Sequence, residues 1–159
     1  MKKKYAVIAG SLLLALLVCA AFLYGYGRER SLKEICPLSA DEPVTGAALY
    51  RSLPAEDASA HVELTQEQFQ ALIAQMDTIQ YKKIGSTNAM GQDENYATLN
   101  YTVDQEKMEI MFSDADGGRM LVNVVSENGN APLYQMVPSG EAIQKMILGF
   151  FHAAHPSNG

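Results

Sequence analysis

An uncharged apolar run near the start of the chain sets the first limit on how this protein can fold. Residues 5–27 form a stretch of 23 residues without Asp, Glu, Lys or Arg. About 20 apolar residues in a helix span the hydrocarbon core of a bilayer, so the run is long enough to cross it. Tyr5, Tyr24 and Tyr26 lie near its two ends, where aromatic rings favour the membrane interface. The sequence therefore predicts a transmembrane anchor over residues 5–27, preceded by a basic tail at residues 1–4.

Two alternatives concern the fate of the same segment. A cleaved signal peptide has an apolar centre of roughly 7 to 15 residues before a small-x-small site. Gly25-Tyr26-Gly27 fits such a site, but the apolar stretch before it is longer. A lipoprotein signal has a small residue before the modified cysteine, whereas Val18 precedes Cys19 and apolar residues follow it. We expect an uncleaved single span, with a signal peptide and a lipidated Cys19 as the alternatives.

The positive charges on the two sides of the span are nearly balanced. Three lysines at residues 2–4 and the terminal amine precede it, and Arg28, Arg30 and Lys33 follow it. A very short basic tail normally stays in the cytoplasm. We therefore expect a single-pass protein of the cell membrane with an extracytoplasmic C-terminal domain.

The part after the span is strongly acidic. Residues 28–159 hold all 18 acidic residues and 9 of the 12 basic ones, a net charge of −9. Phosphates of nucleic acids and of anionic lipids repel a domain with this balance, so no nucleic-acid partner is expected. The length suits one domain with one core. The two cysteines, Cys19 and Cys36, lie on opposite sides of the end of the apolar run, so no disulfide framework is predicted.

The residues after the span divide into a linker and a folded domain. Pro37, Pro43 and Pro54 interrupt residues 28–59, which we interpret as a juxtamembrane linker containing a short strand at Val44 to Arg51. Residues 60–155 are the predicted α+β domain, and residues 156–159 are a tail.

Two amphipathic helices are predicted in the domain. Thr65 and Gln68 have the spacing of a capping box at the start of the first helix. Ser139 is the predicted N-cap of the second, which runs to about Ala154. Both helices have apolar residues at helical spacing, which are Phe69, Leu72, Ile73, Met76 and Ile79 in the first and Ile143, Met146, Ile147, Phe150 and Phe151 in the second.

Between the helices, apolar and polar residues alternate with a period of two from Tyr96 onward, which is typical of strands. Four such runs joined by turn-rich segments predict a four-stranded antiparallel meander, with a hairpin at Asn128-Gly129. A two-residue loop there sets Val124 opposite Leu133. A three-residue bulged loop sets Val122 opposite Tyr134, and it is slightly favoured because it buries Tyr134 and Met136. The predicted fold is α+β: an antiparallel meander sheet of four or more strands with two amphipathic helices, preceded by one N-terminal transmembrane helix.

The MKKK tail, single span, proline-punctuated linker, ELTQEQFQALIAQM helix and meander together resemble small membrane-anchored extracytoplasmic proteins of Gram-positive bacteria. Those are mostly domains of unknown function. The resemblance covers the full length and concerns layout, so it carries over no functional residue.

Three histidines are the candidate metal ligands. His152 and His155 lie three residues apart on the second helix, and with His61 they would supply three imidazoles, enough for zinc. No acidic ligand occurs at a fixed spacing from them, so we expect no metal and no cofactor. There is no Gly-x-Ser-x-Gly elbow, and Cys36 lies in the predicted linker, so no catalytic residue is predicted.

The predicted function follows from the second face of the sheet. Leu121 and Val125 point away from Val122 and Val124, and apolar residues on that face indicate a patch for a partner. We therefore predict a non-enzymatic domain that binds a protein or peptide partner. The alternatives are a small-ligand or metal-sensing domain that uses the 85–95 loop or the histidines, and a hydrolase with an unrecognised site.

Overall fold

A computed structural model describes residues 2–36, 43–51, 60–86, 95–103, 106–115, 119–125 and 132–155. These residues form helices and strands in the order α1 (Lys2–Gly27), β1 (Glu29–Arg30), α2 (Leu32–Ile35), β2 (Thr45–Arg51), β3 (Ala60–Glu63), α3 (Gln66–Asp77), β4 (Gln80–Ser86), β5 (Asn95–Val103), β6 (Glu106–Ala115), β7 (Arg119–Val125), β8 (Pro132–Val137) and α4 (Glu141–Ala154).

The strands form one antiparallel sheet in the order β1-β4-β8-β7-β6-β5-β2-β3. The predicted meander, β5 to β8, lies in its middle, and β4 and β2 extend it on the two sides. The α+β class, the antiparallel meander and the two amphipathic helices are thus confirmed.

Helices α3 and α4 cover one face of this sheet. Alternation along the strands places Leu49, Leu99 and Ile110 side by side on that face. They belong to one buried cluster with the apolar residues of the two helices, which are Phe69, Leu72, Ile73, Met76, Ile143, Ile147 and Phe151. The apolar residues that alternate along the strands and those at helical spacing in α3 and α4 thus form a single core.

Helix α3 begins with the predicted capping box. The Gln68 backbone N–H donates to Thr65 Oγ1 at 3.2 Å, and the Thr65 N–H donates to Gln68 Oε1 at 2.9 Å. Two N–H groups that the helix leaves without an internal partner are satisfied in this way.

Helix α4 begins one residue later than the sequence predicts. Its N-cap is Gly140, which makes no side-chain cap bond, so the assignment of Ser139 as the cap is wrong. The reason is space. A Cβ at Gly140 would lie 2.3 Å from Met120 Cβ, so only glycine allows the helix to start this close to β7.

The β7–β8 pairing follows the bulged-loop alternative. Val122 lies opposite Tyr134, and Tyr134 and Met136 are both buried. This register is therefore confirmed, while the turn at Asn128-Gly129 lies outside the described residues, as do most of the predicted 85–95 loop and the 156–159 tail.

The predicted linker over residues 28–59 requires a correction, because its described parts belong to the folded domain. Strand β1 pairs with β4, and β2 lies between β5 and β3. Leu32 and Cys36 are buried in the core cluster together with Leu49. The domain therefore starts at β1.

Helix α1 is attached directly to this domain. Residues Gly10–Gly27 are exposed, and by length and composition they are apolar enough to span a membrane. Arg28 alone separates α1 from β1. The Arg30 guanidinium donates to the Gly25 carbonyl, so a charged donor satisfies a carbonyl of the last helical turn.

Candidate functional site

The face of the sheet opposite to the core is the candidate site. Strand pairing places one row of side chains on it, across six strands from β8 to β3: Leu133, Asn123, Met111, Thr98, Tyr50 and His61. Residues directly opposite each other in a ladder share a face. None of these six belongs to the core cluster. We call this surface the open face.

A second row lies beside the first. It runs through Val125, Glu109, Asn100, Ala48 and Glu63, from β7 to β3. It therefore brings two carboxylates and an amide next to the row that contains Tyr50.

Exposure on the open face increases from β8 towards β3. Asn123 and Leu133 are 0% and 3% exposed, whereas Tyr50 is 41% exposed and His61 is exposed as well. A ligand or partner therefore has the best access at β2 and β3.

A bulge in β2 shapes this accessible end. The pairing of β2 with β5 shifts between Thr45 and Ala48, which lie opposite Thr102 and Asn100. Gly46, inside the bulge, has φ +65°, a backbone conformation that favours glycine. Bulges increase local twist and re-aim the side chains of the strand that carries them.

Two clefts adjoin this bulge and share Gly46 and Tyr50. The larger, of about 400 Å³, is lined in addition by Asn100, Lys107, Glu109 and Val125. The smaller, of about 300 Å³, is lined in addition by Ala48, His61 and Glu63. The Tyr50 ring is therefore common to both clefts. It stacks on the His61 ring, with centroids 5.8 Å apart and planes 21° from parallel.

The lining of the clefts suits a side chain with an apolar stem and a positive head. The face of a tyrosine ring attracts cations, and each cleft has one carboxylate, Glu109 in the larger and Glu63 in the smaller. Val125 offers an apolar surface to the stem of such a side chain. Lys107 lies in the larger cleft and offsets part of its negative charge, so the smaller cleft is the more acidic of the two.

The predicted partner patch lies on the open face. Val125 lines the larger cleft, and Leu121 lies four residues before it on the same strand, opposite Ser113 and Gln135. Both side chains are half-buried. Sequence reasoning missed Tyr50, because β2 was assigned to a linker. A glycine followed by the apolar run from Ala47 to Tyr50 is the signal that the sequence contains.

The three candidate metal ligands do not form a ligand set. His155 Nε2 lies 3.4 Å from the backbone carbonyl oxygen of His61, where its N–H can donate. The His61 ring faces Tyr50, and His152 is exposed on α4. Within the described ranges no group of three His, Cys, Asp or Glu side chains is arranged to hold a metal ion.

The ionisable group with a large pKa shift, Tyr81, lies in the core and lines neither cleft. Burial raises the pKa of the Tyr81 phenol, and the Asp77 carboxylate adds to this effect. The Tyr81 hydroxyl donates to the Met76 carbonyl at 2.8 Å. The raised pKa therefore belongs to a tyrosine that makes a buried structural hydrogen bond.

No protein-family model matches this chain, and comparisons with curated proteins and with solved structures find no match either. The chemistry of the site is therefore inferred from its own side chains.

Proposed function

We propose that this protein is a single-pass membrane protein whose extracytoplasmic domain binds a partner protein through the open face, without catalysis. The observation that carries the proposal is the pair of clefts on either side of Tyr50, each with a carboxylate, at the accessible end of a sheet face outside the core. The partner is a protein segment, since the two clefts are open to solvent and share Gly46 and Tyr50.

The chemistry of the clefts and the charge of the domain favour a basic, extended segment. The residues after the span carry a net charge of −9, which attracts positively charged partners. In an extended chain, side chains on the same side are about 6.6 Å apart. One basic side chain can enter the larger cleft, against the part of the Tyr50 ring that His61 leaves uncovered, and the next on the same side can approach Glu63 in the smaller cleft.

A titration of the full chain in detergent micelles with short synthetic peptides tests this function. One peptide alternates lysine with small residues, and the control peptide replaces each lysine by glutamate. We expect backbone amide chemical shifts to change on β2, β3, β5 and β6 with the lysine peptide alone. Shifts confined to α3 and α4, or equal responses to both peptides, would contradict the proposal.

Substitutions at the clefts make the test specific. Tyr50→Ala is expected to weaken binding about fivefold, since a cation over an exposed aromatic ring contributes about that factor, and Tyr50→Phe keeps the ring and the affinity. The variant Glu63→Gln/Glu109→Gln should also bind more weakly. Its matched control, Glu67→Gln/Glu141→Gln, removes two exposed carboxylates from the helices and should leave affinity unchanged.

The extracytoplasmic placement has its own test. A C-terminal fusion to alkaline phosphatase, which is active only after export, should be enzymatically active. A C-terminal fusion to a reporter that fluoresces only in the cytoplasm should not fluoresce. The reverse pattern would place the domain in the cytoplasm.

A further inference from the structure

Basic side chains gather where α1 meets the sheet. Arg28 follows α1, Arg30 lies on β1 and Lys33 on α2, while Lys82 and Lys83 lie on β4. Strand pairing joins these segments, since Glu29 lies opposite Lys82. We call these five residues, Arg28, Arg30, Lys33, Lys82 and Lys83, the basic collar.

The collar differs in charge from the rest of the domain. Residues 28–34 and 80–86 together hold five basic and two acidic residues, a net of +3. The remainder of residues 28–159 holds four basic and 16 acidic residues, a net of −12. The domain is therefore acidic as a whole, with a net charge of −9, but positive in the region where α1 joins β1.

Side chains of the collar have two kinds of role. Arg28 pairs with Glu34, and Arg30 donates to the Gly25 carbonyl, so both hold the joint together. Lys83 Nζ lies 5.5 Å from the centroid of the Tyr26 ring, at the last turn of α1. Lys33 and Lys82 are exposed and can extend towards a neighbouring surface.

An exposed aliphatic side chain accompanies these charges. Ile84 is 43% exposed and follows Lys83 on β4. Because Lys82 lies opposite Glu29, the strand continues from Lys82 towards the end of α1, so Ile84 lies on the α1 side of the collar. Basic groups beside an exposed apolar residue suit the boundary between lipid headgroups and acyl chains.

We propose that the basic collar binds the phosphates of anionic lipids in the leaflet from which α1 emerges. This inference rests on the membrane anchoring in the proposed function. Lys33 and Lys82 contact the headgroups, and Ile84 reaches the interface. The lipid thus fixes the orientation of the domain on the membrane.

A tryptophan reporter tests this orientation in the full chain, which contains no tryptophan of its own. Ile84→Trp is reconstituted into vesicles of phosphatidylcholine, or of phosphatidylcholine in which phosphatidylglycerol replaces a third of the lipid. Both contain a headgroup spin-labelled lipid that quenches indole fluorescence. We expect stronger quenching with phosphatidylglycerol, and loss of the difference near 1 M NaCl, where the Debye length is about 3 Å.

Matched charge substitutions identify the residues. Lys33→Gln/Lys82→Gln in the reporter background should lower the equilibrium towards the membrane-facing orientation about thirtyfold, since each basic residue near an anionic surface contributes about a factor of five. The control Arg51→Gln/Lys145→Gln removes the same charge from β2 and α4, and it should keep the quenching. Equal quenching in the two lipids, or an equal loss in both variants, would overturn the proposal.

Extraction with alkaline carbonate separates this proposal from the anchoring on which it rests. Release of the chain from the vesicles would contradict the transmembrane span itself. Retention of the chain together with lipid-independent quenching would contradict the collar alone, and it would leave the peptide titration at the open face unaffected.

Discussion

Gly140 offers the sharpest test of how α4 is positioned on the sheet. A Cβ at this residue would lie 2.3 Å from Met120 Cβ and 2.7 Å and 2.8 Å from the sulfurs of Met120 and Met136. The two sulfurs are at flexible ends and can move. Met120 Cβ is fixed to the backbone of β7, and ordinary carbon contacts begin at about 3.5 Å, so helix or strand must move by about 1 Å.

This displacement sets the expected magnitude for Gly140→Ala. Overpacking of a well-packed core costs about 1–3 kcal/mol. Alanine is also a poorer N-cap than glycine, by up to about 1 kcal/mol. The loss of freedom in the unfolded chain works in the opposite direction, by about 0.4–1 kcal/mol. The net expectation is a destabilisation of about 2 kcal/mol.

Gly149→Ala is the matched control on the same helix. Nothing lies within 4 Å of a Cβ at Gly149, and this residue is exposed in the helix interior. Alanine there should stabilise the domain by about 0.5–1 kcal/mol, because glycine is a poor residue in the middle of a helix.

The assay is unfolding of the full chain in detergent micelles, followed by the near-ultraviolet circular dichroism of its tyrosines. For a domain of this size, Gly140→Ala should lower Tm by about 10 °C and Gly149→Ala should raise it slightly. If both substitutions raised Tm, the close approach of Gly140 to Met120 would not be what positions α4.

The further predictions concern local bonds at three residues. Thr65→Ala removes the cap of α3 and should lower the free energy of unfolding by about 1 kcal/mol in a urea titration, and an unchanged midpoint would contradict the role of the capping box. Tyr81→Phe removes the bond to the Met76 carbonyl and should cost about 1 kcal/mol. Because burial raises the pKa of Tyr81, its phenol should ionise in an alkaline absorbance titration only as the domain unfolds, and reversible ionisation in the folded state would argue against its burial. The pKa of Glu34 is lowered below 4.5, mainly because its carboxylate accepts a hydrogen bond from the Ser31 N–H. Burial opposes this effect, and the nearby Arg28 charge adds to it. Its stabilising effect is therefore present above pH 4.5 and lost as the pH falls through the lower folded value. Glu34→Gln should reduce Tm at neutral pH and have a progressively smaller effect as the pH falls below 4.5, whereas an equal reduction at every pH would point to a role other than charge.

Local signals made α3 predictable and α4 only partly so. The capping box at Thr65 and Gln68 depends on residues within one helical turn, so the sequence contains all of it. The start of α4 depends on Met120, which is 20 residues away along the chain and adjacent only after β7 has paired. A predicted cap at Ser139 could not anticipate that contact.

The described parts of the predicted linker were misassigned for a physical reason. Strand β1 has two residues, too few to show a period, and the Gly46 bulge interrupts the alternation in β2. Val125 was found because β7 alternates regularly. The position of Tyr50 could not be predicted in the same way, because it lies on the open face only when β2 is inserted between β5 and β3.

The basic collar could not be predicted from the sequence either. Arg28 and Lys82 are separated by more than 50 residues, and only the pairing of β1 with β4 brings their segments together. Net charge alone predicts repulsion from anionic lipids, whereas the distribution of charge reverses that expectation at one end of the domain.

The single-residue connection between α1 and β1 has a mechanical consequence. With Arg28 as the whole connection and Arg30 bonded to the Gly25 carbonyl, the joint is short, so α1 and the domain influence each other's orientation. A change in the tilt of α1 therefore influences the orientation of the sheet, alongside the lipid contacts proposed for the basic collar. Transmembrane helices change their tilt with bilayer thickness. With α1 in the proposed membrane span, bilayer thickness would influence the angle at which the domain presents the Tyr50 clefts.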